Sequence, residues 1–238
     1  MGDSSKGRRI RAFWLGRRPY RPLLALQEAL LAARAAGELQ EDHLLLLEHE
    51  PVITLGRSAK AAHLRASSEW LAARGVETVE IGRGGDVTLH APGQLVAYPI
   101  FDLKPERCDV RRYVRDLEEI MIRLVGDQGL SATRIEGLNG AWIGEEKVGA
   151  VGVRISRWVT MHGFALNVAN DLRLFDWIVP CGIADRGVTS LQRQLGSALS
   201  PRDLLGATLA HFAEVFAAEV TFDEALPDYF LASLSSAG

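Results

Sequence analysis

Cysteine and lysine are scarce in this 238-residue chain, which holds two Cys and four Lys. Cys108 and Cys181 lie far apart and belong to no ligand-spaced pair, so a zinc site lacks its partners and a disulfide framework its material. The six histidines are scattered without a His-x-x-x-His pair, and metal catalysis has no support. No apolar run approaches the roughly 20 residues that cross a bilayer. Met1 to Arg9 is polar and basic with no secretory core behind it, and Lys6 stands where a myristoylation signal wants Ser or Thr. The chain therefore reads as cytoplasmic, with no membrane partner. A net charge of −3 without clustered Lys and Arg disfavours nucleic acid. Neither a Gly-Lys-Ser/Thr P-loop nor a Gly-x-Gly-x-x-Gly fingerprint occurs.

What remains is an ordinary globular composition, 47% hydrophobic and 24% charged. Periodicity predicts a strand over Ile10 to Leu15 and an amphipathic helix over Tyr20 to Ala36, stopped by Gly37. Apolar runs His43 to Glu48 and Val52 to Leu55 flank a break at Pro51. Ser67 or Ser68 caps a short helix through Arg74, and Val76 to Ile81 returns as a strand. A helix over Val110 to Val125 follows, then a glycine-punctuated strand series through Asn167, and Ser200-Pro201 opens a last helix reaching Ala218. Strands and helices mix without regular βαβ alternation, which predicts a single mixed-sheet α/β (α+β) domain over 10–226, between a flexible segment 1–9 and a weakly structured tail 227–238.

Four segments have the composition of a reactive site. In "RGGDVTLH", Arg83 to His90, alternation puts Val87 and Leu89 on one side of a strand and Thr88 and His90 on the other; Gly84 and Gly85 allow close approach, with N–H groups available to a carbonyl. A plain hairpin turn explains the same pattern. In "EEKVGAVGVRI", Lys147 enters an apolar run in a chain whose positive charge is nearly all Arg. Partial burial makes a lysine a candidate proton acceptor, which Arg cannot be; a strand-edge Lys reaching solvent is the bland alternative. In "VPCGIADRGVTSL", Cys181 sits in a proline and glycine loop able to present a thiol, whereas Cys108 precedes a helix and has no such setting. In "WVTMHGFALNV", alternation places Thr160, His162, Phe164 and Leu166 on one face and Val159, Met161, Ala165 and Asn167 on the other, with Gly163 opening the strand.

Together these segments resemble the lipoyl(octanoyl) transferase family. Its Arg-Gly-Gly-x-x-Thr-x-His-x-x-Gly-Gln run is matched by Arg83, Gly84, Gly85, Thr88, His90, Gly93 and Gln94, with Tyr98 following. Lys-x-Gly-Ala-hydrophobic-Gly is matched from Lys147 to Gly152, the His-Gly strand from His162 to Asn167, and Pro-Cys-Gly-Ile from Pro180 to Ile183. The resemblance runs from Glu48-His49-Glu50-Pro51 to Thr189-Ser190-Leu191. Leu89 and Ala91 depart from it, standing where the family usually has an aromatic and a Gly.

The resemblance implies the biotin/lipoate protein ligase catalytic fold and a reaction moving octanoyl from the phosphopantetheine thioester of acyl carrier protein to a lysine of a lipoyl domain. It makes Cys181 the nucleophile and Lys147 the group that lowers the thiol's pKa and shuttles its proton. Acyl contacts fall on Arg83, Gly84, Gly85, Asp86, Val87, Thr88, Leu89 and His90, on Ala150, Val151 and Gly152, and on Gly163, Phe164 and Ala165. Val87, Leu89, Val151 and Phe164 are the candidate apolar walls. Acceptors would be the lipoyl domains of 2-oxoacid dehydrogenase complexes and the glycine cleavage H protein; neither ATP nor a metal is required. Three rivals exist. An ATP-dependent lipoate-protein ligase would not need Cys181, a carrier-binding module would need neither reactive residue, and a papain-like hydrolase would pair Cys181 with His162 oriented by Asn167.

Overall fold

A computed structural model describes residues 7–179, 186–224, 227, 228 and 230. In chain order the first half contains β1 (Arg8–Arg18), α1 (Tyr20–Ala36), β2 (Asp42–His49), β3 (Val52–Leu55), α2 (Ser68–Ala72), β4 (Glu77–Glu80), β5 (Val87–His90) and β6 (Gln94–Ile100). The second half contains α3 (Val110–Asp127), β7 (Thr133–Ile135), β8 (Leu138–Ile143), β9 (Glu146–Ser156), β10 (Val159–Asn167), α4 (Leu191–Leu195), α5 (Leu205–Phe216) and β11 (Ala218–Asp223). Eight strands form one mixed sheet in the order β11-β1-β2-β6-β10-β9-β8-β7, and β4-β3-β5 form a second, small sheet. β11, β1 and β2 are mutually parallel, and the remaining pairs of the large sheet are antiparallel.

The large sheet is buried on both faces, and period-2 alternation decides which side chain goes where. Leu44 and Leu46 of β2, with Leu95 and Ala97 of β6, join the core under α3 and α5. Leu45, Leu47, Val96, Tyr98 and Ile100 join the core under α1, through Leu23, Leu26 and Leu30. This is why β2 reads as an unbroken run of four leucines, each worth about 1.5–3 kcal/mol on full burial. α1 ends where Gly37 takes a left-handed φ of 80°, and α3 begins at Asp109, whose carboxylate accepts the N–H of Arg111 and of Arg112. The small sheet buries Ile53, Val87 and Leu89 against Leu71 of α2, Phe175 and Ile178.

The mixed single-domain architecture is as expected, with local differences. Two βαβ units do occur, since α1 crosses between the parallel strands β1 and β2 and α2 between the parallel strands β3 and β4. The last helix is shorter than periodicity suggests: Pro201–Leu204 is a 3₁₀ turn, α5 stops at Ala217 with φ 49°, and the alternating Ala218–Asp223 leaves to pair with β1. Arg8 and Arg9, placed in the flexible segment by the sequence, pair in β1 with Ala218 and Glu219. Phe230, placed in the tail, is fully buried with its ring centroid 4.8 Å from that of Phe13. No described helix is long and apolar enough to cross a membrane.

Candidate active site

The small sheet turns one face toward the α1 side of the large sheet, and a cavity lies between them. On the small-sheet side Val52 pairs with His90 and Thr54 with Thr88, which leaves Thr88 and His90 pointing inward while Val87 and Leu89 turn to the small core. The turn before β5 is fixed by main-chain bonds: Gly56 N–H donates to the Asp86 carbonyl, Arg57 N–H to Arg83, and Ser58 N–H to Gly85. Gly85 adopts a φ of 89°, the left-handed region glycine tolerates best. The Gly84 N–H donates to the Val153 carbonyl at 2.9 Å, so it ties the turn to β9 and is not available to a substrate carbonyl. Arg83 is buried and grips β3, its guanidinium donating to the Thr54 hydroxyl and carbonyl, both at 2.9 Å.

On the large-sheet side two interruptions of strand phase bring the site together. In β9 the pairing Ala141 with Gly149 is followed by Trp142 with Lys147, so Val148 is an extra residue, a β-bulge. Val148 packs in the core under α3, and a Cβ on Gly149 would meet Met121 Sδ on that same side. Lys147 thereby shares the cavity side with Ala150 and Gly152, against Thr88, Gln94 and Asn167. Its Nζ lies 4.8 Å from the centre of the Trp142 ring. In β10 His162 takes a left-handed φ of 57° opposite Pro99, which has no N–H to offer the ladder. Strict alternation would put His162 with Phe164 under α5. Instead its ring packs edge-on to Tyr98 on the α1 side, at 6.2 Å.

Of the acyl-contact residues expected from the sequence, Arg83, Gly85, Asp86, Val87, Thr88, His90, Ala150, Val151, Gly152, Gly163, Phe164 and Ala165 border this cavity. Gly84 and Leu89 do not. Among the four candidate apolar walls, Val87 and Leu89 direct their side chains into the small core, Val151 packs under α3 and α5, and Phe164 stacks on Phe212 of α5. The walls are made instead by glycine and alanine backbone and by Tyr20, Tyr98, His90 and His162. Tyr20 and His49 escape sequence reasoning because they lie far upstream in a helix start and a leucine strand; the only signal was a polar group in an apolar run.

Side-chain hydrogen bonds organise both ends. His49 Nε2 lies 2.8 Å from the Tyr98 hydroxyl and its Nδ1 3.0 Å from the Arg18 carbonyl. Burial lowers the pKa of His49 to about 4 and of His162 to about 3, and that of His90 well below the usual value, while it raises the Tyr98 phenol. His90 and His162 thus line the cavity uncharged at neutral pH, and His49, hydrogen-bonded to Tyr98, is uncharged with them. At the other end Asn167 donates to the Thr189 carbonyl and accepts from Gln94, both at 2.9 Å, and Gln94 Oε1 meets His90 Nδ1 at 3.1 Å. Asn167 therefore does not orient His162, whose Nε2 has no hydrogen-bond partner among the described residues, so the His162–Asn167 half of a papain-like arrangement is not formed.

Lys147 is held through its main chain. Its N–H donates to Gly187 and its carbonyl accepts from Thr189, both at 2.9 Å. Upstream, Val179 N–H donates to His63 at 2.8 Å. Cys181 lies outside the described residues, between those two anchored runs in sequence. Cys108 is exposed and precedes α3. No group of three metal-ligating side chains occurs among the described residues.

Residues 19–213 match the model of the lipoyl protein ligase A/B catalytic domain. An octanoyltransferase of Koribacter versatilis is 50% identical over 224 residues, covering 92% of this chain and 89% of its own. Another from Caldicellulosiruptor bescii is 46% identical over 209 residues, covering 87% and 91%. Among solved structures, a bipartite lipoate protein ligase of Thermoplasma acidophilum superposes with a TM-score of 0.73 at 16% identity, over 96% of this chain and 91% of that one. The biotin protein ligase of Aquifex aeolicus does so at 0.55 and 17%, over 87% and 70%.

Proposed function

We propose, from the premise that this chain belongs to the lipoyl protein ligase A/B catalytic-domain family and is an octanoyltransferase of protein lipoylation, that it works through an acyl-Cys181 thioester with Lys147 as proton carrier. The donor is octanoyl-acyl carrier protein and the acceptor a lysine of a lipoyl domain. The observation that carries this reading is the seating of Lys147. It lines a small pocket that shares Thr88, Ala150 and Ala165 with the cavity, and it is hydrogen-bonded through its main chain to the run that follows Cys181.

The chemistry balances without ATP or metal. Lys147 Nζ takes the Cys181 thiol proton, the thiolate attacks the octanoyl carbonyl, and the phosphopantetheine thiolate leaves with the proton returned by the Lys147 ammonium. One thioester replaces another. The acceptor amine then attacks the acyl-Cys181 carbonyl and gives its proton to Lys147, and the Cys181 thiolate departs as the more stable amide forms. The eight-carbon chain lies in the cavity against glycine and alanine backbone, each buried CH₂ worth about 0.8 kcal/mol. The lowered pKa values of His90 and His162 make both rings weak proton acceptors beside Lys147.

Incubation with octanoyl carrier protein in the absence of ATP, followed by intact mass, tests the reading. A covalent octanoyl group discharged by a lipoyl domain is expected, lost in Cys181→Ala and retained in Cys108→Ala. Equal loss in both variants would sink it.

A further inference from the structure

His63 and Asp86 form a pair that the chemistry above leaves unused, and three segments of the site meet at it. His63 Nδ1 is 2.5 Å from Asp86 Oδ2, and Asp86 Oδ1 accepts the Val87 N–H at 2.7 Å, so the carboxylate is held from both sides. Asp86 borders the cavity, and its carbonyl accepts the Gly56 N–H. On the opposite side the His63 carbonyl accepts the Val179 N–H at 2.8 Å. Leu64 bridges Ile178, and Arg65 N–H donates to Trp177 at 2.8 Å. Residues 56–65 are thus a strap, joined at one edge to the cavity turn and at the other to the run 177–179 that precedes Cys181 in sequence. A carboxylate acceptor makes Nδ1 the protonated nitrogen, and a charge-assisted bond between side chains only 20% and 11% exposed is stronger than a neutral one.

We infer that His63 is a positioning residue of the transfer reaction: its ring N–H holds Asp86 while its carbonyl holds Val179, and this fixes the run 177–179, which precedes Cys181 in sequence, relative to the acyl cavity. The inference rests on the acyl-Cys181 reading. It assigns His63 no proton transfer. Displacing a reacting group by about 1 Å costs up to 100-fold in rate, so a spacer of this kind acts on the chemical step.

His63→Asn, His63→Gln and His63→Ala separate the roles of the ring. An Asn side-chain N–H reaches the place of Nδ1, whereas that of Gln mimics Nε2. We expect the Ala and Gln variants to load octanoyl from its carrier about tenfold more slowly or worse at saturation, with little change in KM, and Asn to restore loading to within about threefold with an unaltered pH profile. Amide hydrogen exchange of the peptide containing 177–179 should quicken in Ala and Gln and stay near wild type in Asn. Asn as impaired as Ala, wild-type loading in all three, or slow loading without faster exchange would each overturn the inference. If wild-type protein itself accepts no octanoyl, the acyl-cysteine reading has failed; exchange then decides the role of His63, unchanged rates in Ala overturning it. Where Ala does not fold, the contrast between Asn and Gln carries the test.

Discussion

At the Lys147 end of the cavity Lys147 itself is tied by main chain, its N–H to Gly187 and its carbonyl to Thr189, beside the side-chain bonds of Gln94 and Asn167. At the Tyr98 end they are tied by side chains, Tyr98 to His49, with Tyr20 packed on the His49 and His90 rings. Main-chain bonds are indifferent to side-chain identity, so the first arrangement fixes the backbone at Lys147 without using its ammonium. Side-chain bonds consume the groups that make them, and burial then keeps those groups neutral. On the proposed reading one end reacts, while the other shapes and stays uncharged.

Removing the reactive group should have the largest effect. Lys147→Arg retains charge but not a usable base, so discharge of acyl-Cys181 to a lipoyl domain is expected to fall by about 10²–10⁴-fold, and more severely than its formation. Mass spectrometry of both steps across pH checks this, and wild-type-like discharge would remove Lys147 from proton transfer.

The second prediction strikes the neutral end. His49, His90 and His162 have folded pKa values below the unfolded 6.5, so the unfolded chain binds more protons as pH drops. Their contribution to stability is complete above pH 6.5 and is lost as pH falls toward their folded values. From pH 6.5 to 5 the loss is on the order of 1–2 kcal/mol for His49 and for His162, and His90 contributes with the same sign. Urea unfolding across pH measures it, and His162→Gln should flatten the slope. An unchanged slope would mean the ring is not kept neutral by the fold.

Filling the space between the ends should weaken binding more than folding. A Cβ on Gly152 would lie 3.1 Å from Arg83 Cδ and 3.2 Å from the Gly84 carbonyl. Gly152→Val is therefore expected to raise KM for octanoyl carrier about tenfold or more while the protein still folds. Gly85 is a poorer site for this test, because its positive φ would add backbone strain. Equal losses of KM and melting temperature in Gly152→Val would point to packing alone. The smallest effect is expected from Tyr98→Phe, which deletes the 2.8 Å bond to His49. Denaturant unfolding should show a loss of about 1–3 kcal/mol, since it strands a buried nitrogen, with loading barely altered.

Much of this was legible in the chain. The helix Tyr20–Ala36, the leucine strand and the inward face of β5 follow from period, caps and glycine stops, because these depend on neighbours within a few residues. The motif spacing named the family. Tyr20, His49 and the strand β11 were not legible as parts of a site or sheet, since each acquires its role from a partner far away in sequence.

The sequence by itself determined most element types, the scarcity of lysine that singles out Lys147, and most of the residues bordering the cavity. Tertiary structure decided which way they point. Alternation would send Lys147 to the face of Gly149 and His162 to that of Phe164, and both turn the other way. Val148 is squeezed out of register against β8, and Pro99 leaves β10 without a ladder donor where His162 turns left-handed. A bulge or a left-handed residue inverts strand phase through hydrogen bonds made to a neighbouring strand, and no local pattern records which strand that will be.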